Sequence, residues 1–383
     1  MTTRPLYPLA GVRILDLTRL LPGGFCTLML ADLGADVVKV EDPGPGDYGR
    51  SMPPFLDTPD GPLGAMFAAL NRGKRSVALD LKSAAGRAQF LQLVVSADVV
   101  VEGFRPGVMT RLGLDADSLL AVNPRLVYCA LTGYGQDGPR ALAAGHDINY
   151  IGVTGVLDGI GASDGPPAIP GAQAADLSGA YAAAVGILAA LLRRERAGVG
   201  GVVDTSMAEA VFALVSLPWA EWAATGAAAG RGAHLPSGGW ACYNVYRAGD
   251  GRHVALGCLE PKFWVAFCQL VEHPEWVAAQ FDTPRQPGLR AAVAEALAAR
   301  PADEWARLAE ALDVPLTRVN RLAEVASEPQ FTAREVLLRT AGGALAARTP
   351  IRVDNLAAAA TGAPPRQGET QAVDVIAAWA KET

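Results

Sequence analysis

The sequence predicts an α/β fold: a parallel sheet covered by helices, followed by a smaller domain of mixed α+β character. Three observations carry this. Short Val/Ile/Leu-rich runs alternate with helical segments through the first third of the chain. A hairpin signal, Gly249-Asp250-Gly251 between two apolar runs, stands in the second half. A Gly/Ala/Ser-rich stretch at 225–239 separates the two parts. A chain of 383 residues has ample material for two cores.

The elements follow in order. Residues 13–17 read as a strand, 25–33 as a helix and 36–41, with VVKV inside, as the next strand. Residues 76–81 form a strand, 84–95 a helix, 98–104 a strand and 126–132 another. Continuous apolar strands alternating with helices imply a parallel sheet buried on both faces. The Ala-rich run 177–192 is short for a membrane span, is interrupted by Tyr181 and ends in Arg193-Arg194-Glu195-Arg196, so it reads as a buried helix. A strand is expected at 202–204 and an aromatic-rich helix at 207–224. After the linker come a hairpin within 240–259 and helices at 263–270 and 289–312. A turn at Gly342-Gly343, a strand near 351–353, a loop at 359–368 and a closing helix at 370–381 complete the chain, with no repeat of fixed period.

Composition narrows the function. Half the residues are hydrophobic and 19% charged, as in a soluble globular protein. The net charge of −6 argues against a nucleic-acid partner, since phosphate contacts need clustered cations. The first residues lack an apolar signal run, and neither they nor 177–192 imply a membrane partner. Cys26, Cys129, Cys242, Cys258 and Cys268 show no CxxC spacing, so neither a disulfide framework nor a zinc site is expected and the cytoplasm is the expected compartment.

Several segments carry chemistry. The G-x-G-x-x-G patterns at 44–49 and 133–138 follow strands but open no helix, and Pro43, Pro45 and Pro139 break the turn, so both read as loops. Arg72-Gly73-Lys74-Arg75 is either a phosphate grip or a solvated basic turn. Glu102-Gly103-Phe104-Arg105-Pro106-Gly107-Val108 lies at the C-terminal end of an expected parallel strand, where α/β sheets bind ligands. There Phe104 is suited to stack on a planar ring and Arg105 or Arg111 to pair with phosphate. Gly145-His146-Asp147-Ile148-Asn149-Tyr150 holds one of only four histidines in a polar break. His146 is a candidate general base or a hydrogen-bonded loop residue; no His-x-x-x-His or Cys-x-x-Cys supports a metal. Asp176 and Glu260 are candidate acids or simply helix-start residues. Trp240, Phe263 and Trp264 suit either an apolar pocket or a core.

Together these segments resemble the family III CoA transferases, and within them the α-methylacyl-CoA racemases. The likeness runs through Gly11-Val12-Arg13-Ile14-Leu15-Asp16-Leu17, Leu33-Gly34-Ala35-Asp36-Val37-Val38-Lys39-Val40-Glu41, Arg72 to Ser76 and Glu102 to Val108. The Gly145 to Tyr150 segment is similar to the racemase motif around the catalytic histidine, and Gly257-Cys258-Leu259-Glu260-Pro261 to the one ending in a supporting glutamate. Two positions depart: Ala172, where racemases usually have asparagine, and Asp42, where many relatives place a cation beside adenine.

The resemblance implies a Rossmann-like large domain over 1–208, a linker at 209–238, a small domain at 239–335 and a C-terminal segment, 336–383, returning to the large domain. It further implies a homodimer of interlocked subunits and a substrate that is an acyl-CoA thioester, with no separate cofactor and no metal. His146 and Asp176 would exchange the proton on the carbon α to the thioester, on opposite faces, and Glu260 would support the imidazole. Arg72, Lys74, Gly103, Phe104 and Arg111 would hold CoA. The backbone near Asp147 would stabilise the enolate oxygen, a contribution of about 3 kcal/mol per donor. The alternative activity within the family is acyl-CoA:carboxylate CoA transfer, with Asp176 as nucleophile.

Overall fold

The computed structural model describes residues 7–228, 230–341 and 345–381. Its elements group into two units. The first comprises Met1–Thr154, Gly171–Leu214 and Pro329–Thr383, the second Gly155–Pro170 and Val215–Glu328. The breaks at 214 and 328 differ from the expected limits of 208, 238 and 335, and 155–170, expected in the large domain, group with the second unit.

The first unit is built on a six-stranded parallel sheet. Its strands are β1 (Arg13–Asp16), β2 (Asp36–Glu41), β5 (Arg75–Ala78), β6 (Val99–Glu102), β7 (Val127–Thr132) and β8 (Gly201–Ser206), in spatial order β5-β2-β1-β6-β7-β8. A small antiparallel hairpin, β3 (Phe55–Thr58) and β4 (Gly61–Gly64), lies between β2 and β5 in the chain. The helices are α1 (Leu20–Asp32), α2 (Ala65–Leu70), α3 (Ala84–Ser96), α4 (Val108–Leu112), α5 (Ala116–Val122), α6 (Asp147–Val153), α7 (Ala174–Ala197) and α8 (Met207–Phe212). The apolar runs became central strands because helices cover both faces: Val37, Val38, Val99, Val100, Val101 and Val127 are essentially inaccessible.

Helix α7 is long and apolar enough to cross a bilayer by length and composition. Here it packs on α1, α8 and the β7–β8 edge of the sheet. Ala175, Gly179, Ala180, Ala183, Ala184, Ile187 and Leu191 are buried, a one-face spacing, while Val185 and Leu192 stay exposed. Gly179 allows the approach of α8, since a Cβ there would lie 2.6 Å from Met207 Cγ.

The second unit holds α9 (Ser216–Thr225), β9 (Tyr243–Arg247), β10 (His253–Gly257), α10 (Pro261–Leu270), α11 (Gln286–Leu297), α12 (Ala302–Ala311) and β11 (Leu316–Arg318). The sheet is antiparallel in the order β11-β10-β9. Trp264, Phe267, Val293, Leu297 and Trp305 fill its core, and both indoles donate to carbonyls, Trp264 to Trp276 and Trp305 to Leu297. Trp264 is therefore core rather than pocket lining, and Trp240 and Phe263 pack against the same core.

The chain then contributes α13 (Pro329–Ala333), the antiparallel pair β12 (Leu337–Arg339) and β13 (Leu345–Ala347), and α14 (Ala372–Ala380) to the first unit. Val375 and Trp379 of α14 join the sheet core beside Phe90 and Leu93.

Several expectations need correction. No strand forms at 351–353: Thr349 donates its N–H to Asp32, Pro350 has none, and the pairing ends at Ala347. The turn at Gly342-Gly343 lies outside the described residues. The expected helix 289–312 is two helices, because Pro301 becomes the N-cap of α12. The expected helix 207–224 breaks at a 3-10 turn, Ala213–Val215, and Pro218 falls in the first turn of α9, where a missing N–H costs little.

Candidate active site

The order of the six strands reverses between β1 and β6: β2 and β5 lie to one side, β7 and β8 to the other. Ligands bind α/β sheets in the crevice at the C-terminal ends of such a pair. The segments leaving that crevice are Thr18-Arg19 after β1 and Gly103-Phe104 after β6. Two cavities open there, of about 210 Å³ and 350 Å³, and Arg19 and Phe104 line both. The larger is flanked by Leu79-Asp80-Leu81-Lys82, Asp42 and Arg111. The smaller is flanked by Gly103, Arg105, Tyr134, Gly145 and Tyr150.

Arg19 sits over the ring of Tyr48, 4.8 Å from its centroid, and 5.8 Å from that of Phe104. The following residue, Leu20, has φ of 59°, a left-handed turn rare for a branched side chain. The turn is held from below: Asp16 accepts hydrogen bonds from the Thr18 N–H and hydroxyl, and Lys39 donates to the Thr18 carbonyl. Phe104 is fixed by its own N–H, which donates to Glu102 at 2.7 Å. Burial pushes the Glu102 carboxyl up to about 7, against the hydrogen bonds from Phe104 and Tyr128.

Of the expected CoA contacts, Gly103, Phe104 and Arg111 line these cavities. Arg72 and Lys74 do not, and their assignment is corrected. Arg72 is fully buried, forks onto both oxygens of Asp32 and also donates to the Ala360 carbonyl. Lys74 is buried among Asp16, Thr27, Asn71 and the Gly24 carbonyl. Both cations serve internal pairing, because a charge removed from water requires a partner.

On the other side of the crevice the structure brings His146, Asp147 and Asp176 together. His146 is exposed at the start of α6, and its backbone N–H donates to Asn149 Oδ1. Tyr150, one turn on, donates its hydroxyl to the Gly145 carbonyl at 2.7 Å and meets Tyr134 edge to face. Asp147 Oδ1 accepts the N–H groups of Ala175 at 2.6 Å and Asp176 at 3.1 Å, in the first turn of α7. Burial, then the negative charge of Asp147, pushes the Asp176 carboxyl up to about 6, while His146 acts in the opposite direction. Burial and the Asp176 charge raise the Tyr150 phenol to about 12. A half-buried carboxyl poised near neutrality beside an imidazole is suited to proton transfer.

Glu260 belongs to the second unit, where it is the exposed N-cap of α10 and makes no side-chain capping bond. Among the described residues, no group of three or more His, Cys, Asp or Glu side chains is placed to hold a metal ion. Sequence reasoning missed Arg19, Lys82 and Tyr134, and it gave Tyr150 no role of its own within the Gly145 to Tyr150 segment. The signals for them were positional: Arg19 and Lys82 each follow an expected strand by a few residues, where ligand-binding turns occur.

The model of CoA-transferase family III matches residues 9–371. An acetyl-CoA:oxalate CoA-transferase of Acetobacter aceti is 36% identical over 358 residues, covering 91% of this chain and 90% of its own. The human α-methylacyl-CoA racemase is also 36% identical, over 319 residues, covering 83% and 79%. A solved CaiB/BaiF family protein from Brucella suis superposes with a TM-score of 0.85 at 33% identity, covering 97% of this chain and 99% of the other.

Proposed function

The chain belongs to CoA-transferase family III, and we propose that within it the protein is a racemase of 2-methylacyl-CoA thioesters. The observation that carries this reading is geometric: His146 caps the start of α6, and the next residue, Asp147, accepts the N–H groups of Ala175 and Asp176, which brings the His146 segment to the first turn of α7. A thioester carbonyl acidifies the hydrogen on its α-carbon. One base removes that proton, the electron pair passes into the carbonyl to give an enolate, and the other group returns a proton to the opposite face. His146 serves one face and Asp176 the other, so inversion needs no other cofactor. The CoA portion lies along the crevice, its phosphates near Arg19, Lys82 and Arg111 and its adenine beside Leu79–Leu81. In an interlocked homodimer, Glu260 of a second copy supports the imidazole. The protein acts in the cytoplasm on a free acyl-CoA.

The second reading is CoA transfer to a free carboxylate, favoured by the equal identity of the Acetobacter enzyme. There the Asp176 carboxylate attacks the thioester carbonyl, the C–S bond breaks, and a mixed anhydride and the CoA thiolate result. The thiolate then attacks the aspartyl carbonyl and releases the donor's carboxylate, leaving an aspartyl-CoA thioester. The acceptor carboxylate attacks that thioester to form a second anhydride and release the thiolate, which attacks the acceptor carbonyl to give the new acyl-CoA and free Asp176. This route has no use for His146.

Incubating one enantiomer of a 2-methylacyl-CoA with the protein, with and without acetate or oxalate, and resolving the products separates the two. Racemisation independent of acceptor supports the racemase. Retained configuration, with acyl exchange only when acceptor is present, replaces it with the transferase.

A further inference from the structure

The carboxylate of Asp147 takes part in no step above, yet it lies half-buried between two helices. A helix opens with N–H groups that lack an internal partner. The N-cap residue of α7, Gln173, makes no side-chain capping bond. Asp147, 29 positions before Asp176 in sequence and on a different helix, accepts two of these N–H groups instead. We propose that Asp147 is a positioning residue for Asp176: its carboxylate caps α7 from α6, fixes where the Asp176 carboxyl sits and withdraws the helix N–H groups from it.

The consequence is electrostatic. Free N–H groups at a helix start stabilise a nearby carboxylate and make it a weaker base. With those donors occupied by another anion, Asp176 keeps a stronger affinity for its proton. The groups that face Asp176 are Asp147, His146 and Tyr150, and Tyr150 in turn faces Tyr134 and Arg105. Of these, Asp147 is the one that both adds negative charge and occupies the donors. It also ties the His146 segment to the Asp176 helix, so the two groups keep one spacing. The effect on turnover rests on the reading that Asp176 exchanges a proton with substrate; the effect on Asp176 itself does not.

The test uses the full-length protein with carboxyl-labelled aspartate, the Asp176 signal being assigned by its loss in Asp176→Asn. Asp147→Asn keeps an oxygen that can accept both N–H groups and loses the charge; Asp147→Ala loses both. The Asp176 titration midpoint is expected to fall by roughly one pH unit in Asp147→Asn and further in Asp147→Ala. The acid limb of the pH profile for turnover should fall with it, and KM for acyl-CoA should stay within about twofold. In Asp147→Ala, kcat should drop by about tenfold, with Asp147→Asn recovering part of it. An unmoved Asp176 midpoint in both folded variants overturns the proposal. A midpoint that moves while the acid limb stays supports the positioning role and removes Asp176 from the proton path.

Discussion

Two clusters of charge lie at the C-terminal edge of the same sheet and behave in opposite ways. Under β1, β2 and β5, the ions Asp16, Lys39, Asp47 and Lys74 are all at most 3% exposed and mutually paired. Beside them Arg72 and Asp32 form a two-point pair. Burial alone would raise the Asp16 carboxyl, but Lys39 and Lys74 hold it well below the usual range. Burial pushes the Lys74 ammonium down to about 8 despite its partners. Beyond β7, at α6 and α7, His146 is exposed, and Asp176 is half-buried with the Asp147 anion pushing its carboxyl up more than His146 pulls it down. The first cluster satisfies its charges internally and shapes the turn at Thr18-Arg19. The second leaves one carboxyl close to its protonation midpoint. Complete pairing marks charges that serve the fold, and incomplete pairing marks those available for chemistry.

The largest predicted effect separates the two clusters by activity. His146→Ala should lower the rate of α-proton exchange by about 10²–10⁴-fold while leaving the melting temperature close to wild type, both read on the same preparation. A variant that loses stability instead would move His146 into the structural class.

Arg72→Met should do the reverse. It leaves Asp32 buried without its cation and costs about 3–5 kcal/mol, seen as a lower midpoint in urea. The Kd for CoA, measured by calorimetry in the cold on folded protein, should not change. A weakened Kd with intact stability would restore Arg72 to the CoA site.

Asp176→Asn tests the cost of the poised carboxyl. Burial and the Asp147 charge raise its folded pKa from the ordinary aspartate value of 3.8 to about 6. The stabilisation linked to its proton is thus complete below about 4 and is lost as pH rises through about 6. The neutral variant should therefore melt about 1–2 °C higher at pH 7–8, on the order of 1 kcal/mol after allowance for solvent screening. The gain should vanish near pH 4. Equal melting curves at both pH values would place Asp176 with the satisfied charges.

The smallest effect concerns the cavity rim. Arg111 is exposed, so Arg111→Ala should raise KM for acyl-CoA by about five- to tenfold with little change in kcat, and the difference should shrink at high salt.

The parallel sheet was legible because Val37-Val38 and Val99-Val100-Val101 form unbroken apolar runs, which central strands require. The β3–β4 hairpin was not: Gly61, Pro62 and Gly64 disguise a strand that lies outside the main sheet. That Phe104 and Arg111 stand beside a cavity at the end of a sheet strand was legible from their place after that strand. Arg72 and Lys74 were misread because a basic run looks the same in sequence whether it meets phosphate or buried aspartate. The Asp32 and Asp16 that claim them lie 40 and 58 positions away. The capping of α7 by Asp147 was hidden for the same reason, since nothing local to either residue signals the other.

The most direct measurement follows the α-hydrogen by NMR when a 2-methylacyl-CoA is incubated in deuterated water with wild-type protein and with His146→Ala, with no carboxylate acceptor added. The predicted result is loss of the α-hydrogen signal together with loss of optical purity in the wild type, and strongly slowed exchange in the variant. Retention of the α-hydrogen by the wild-type protein, with acyl exchange appearing only after a carboxylate is added, would contradict the racemase and leave Asp176 as a nucleophile.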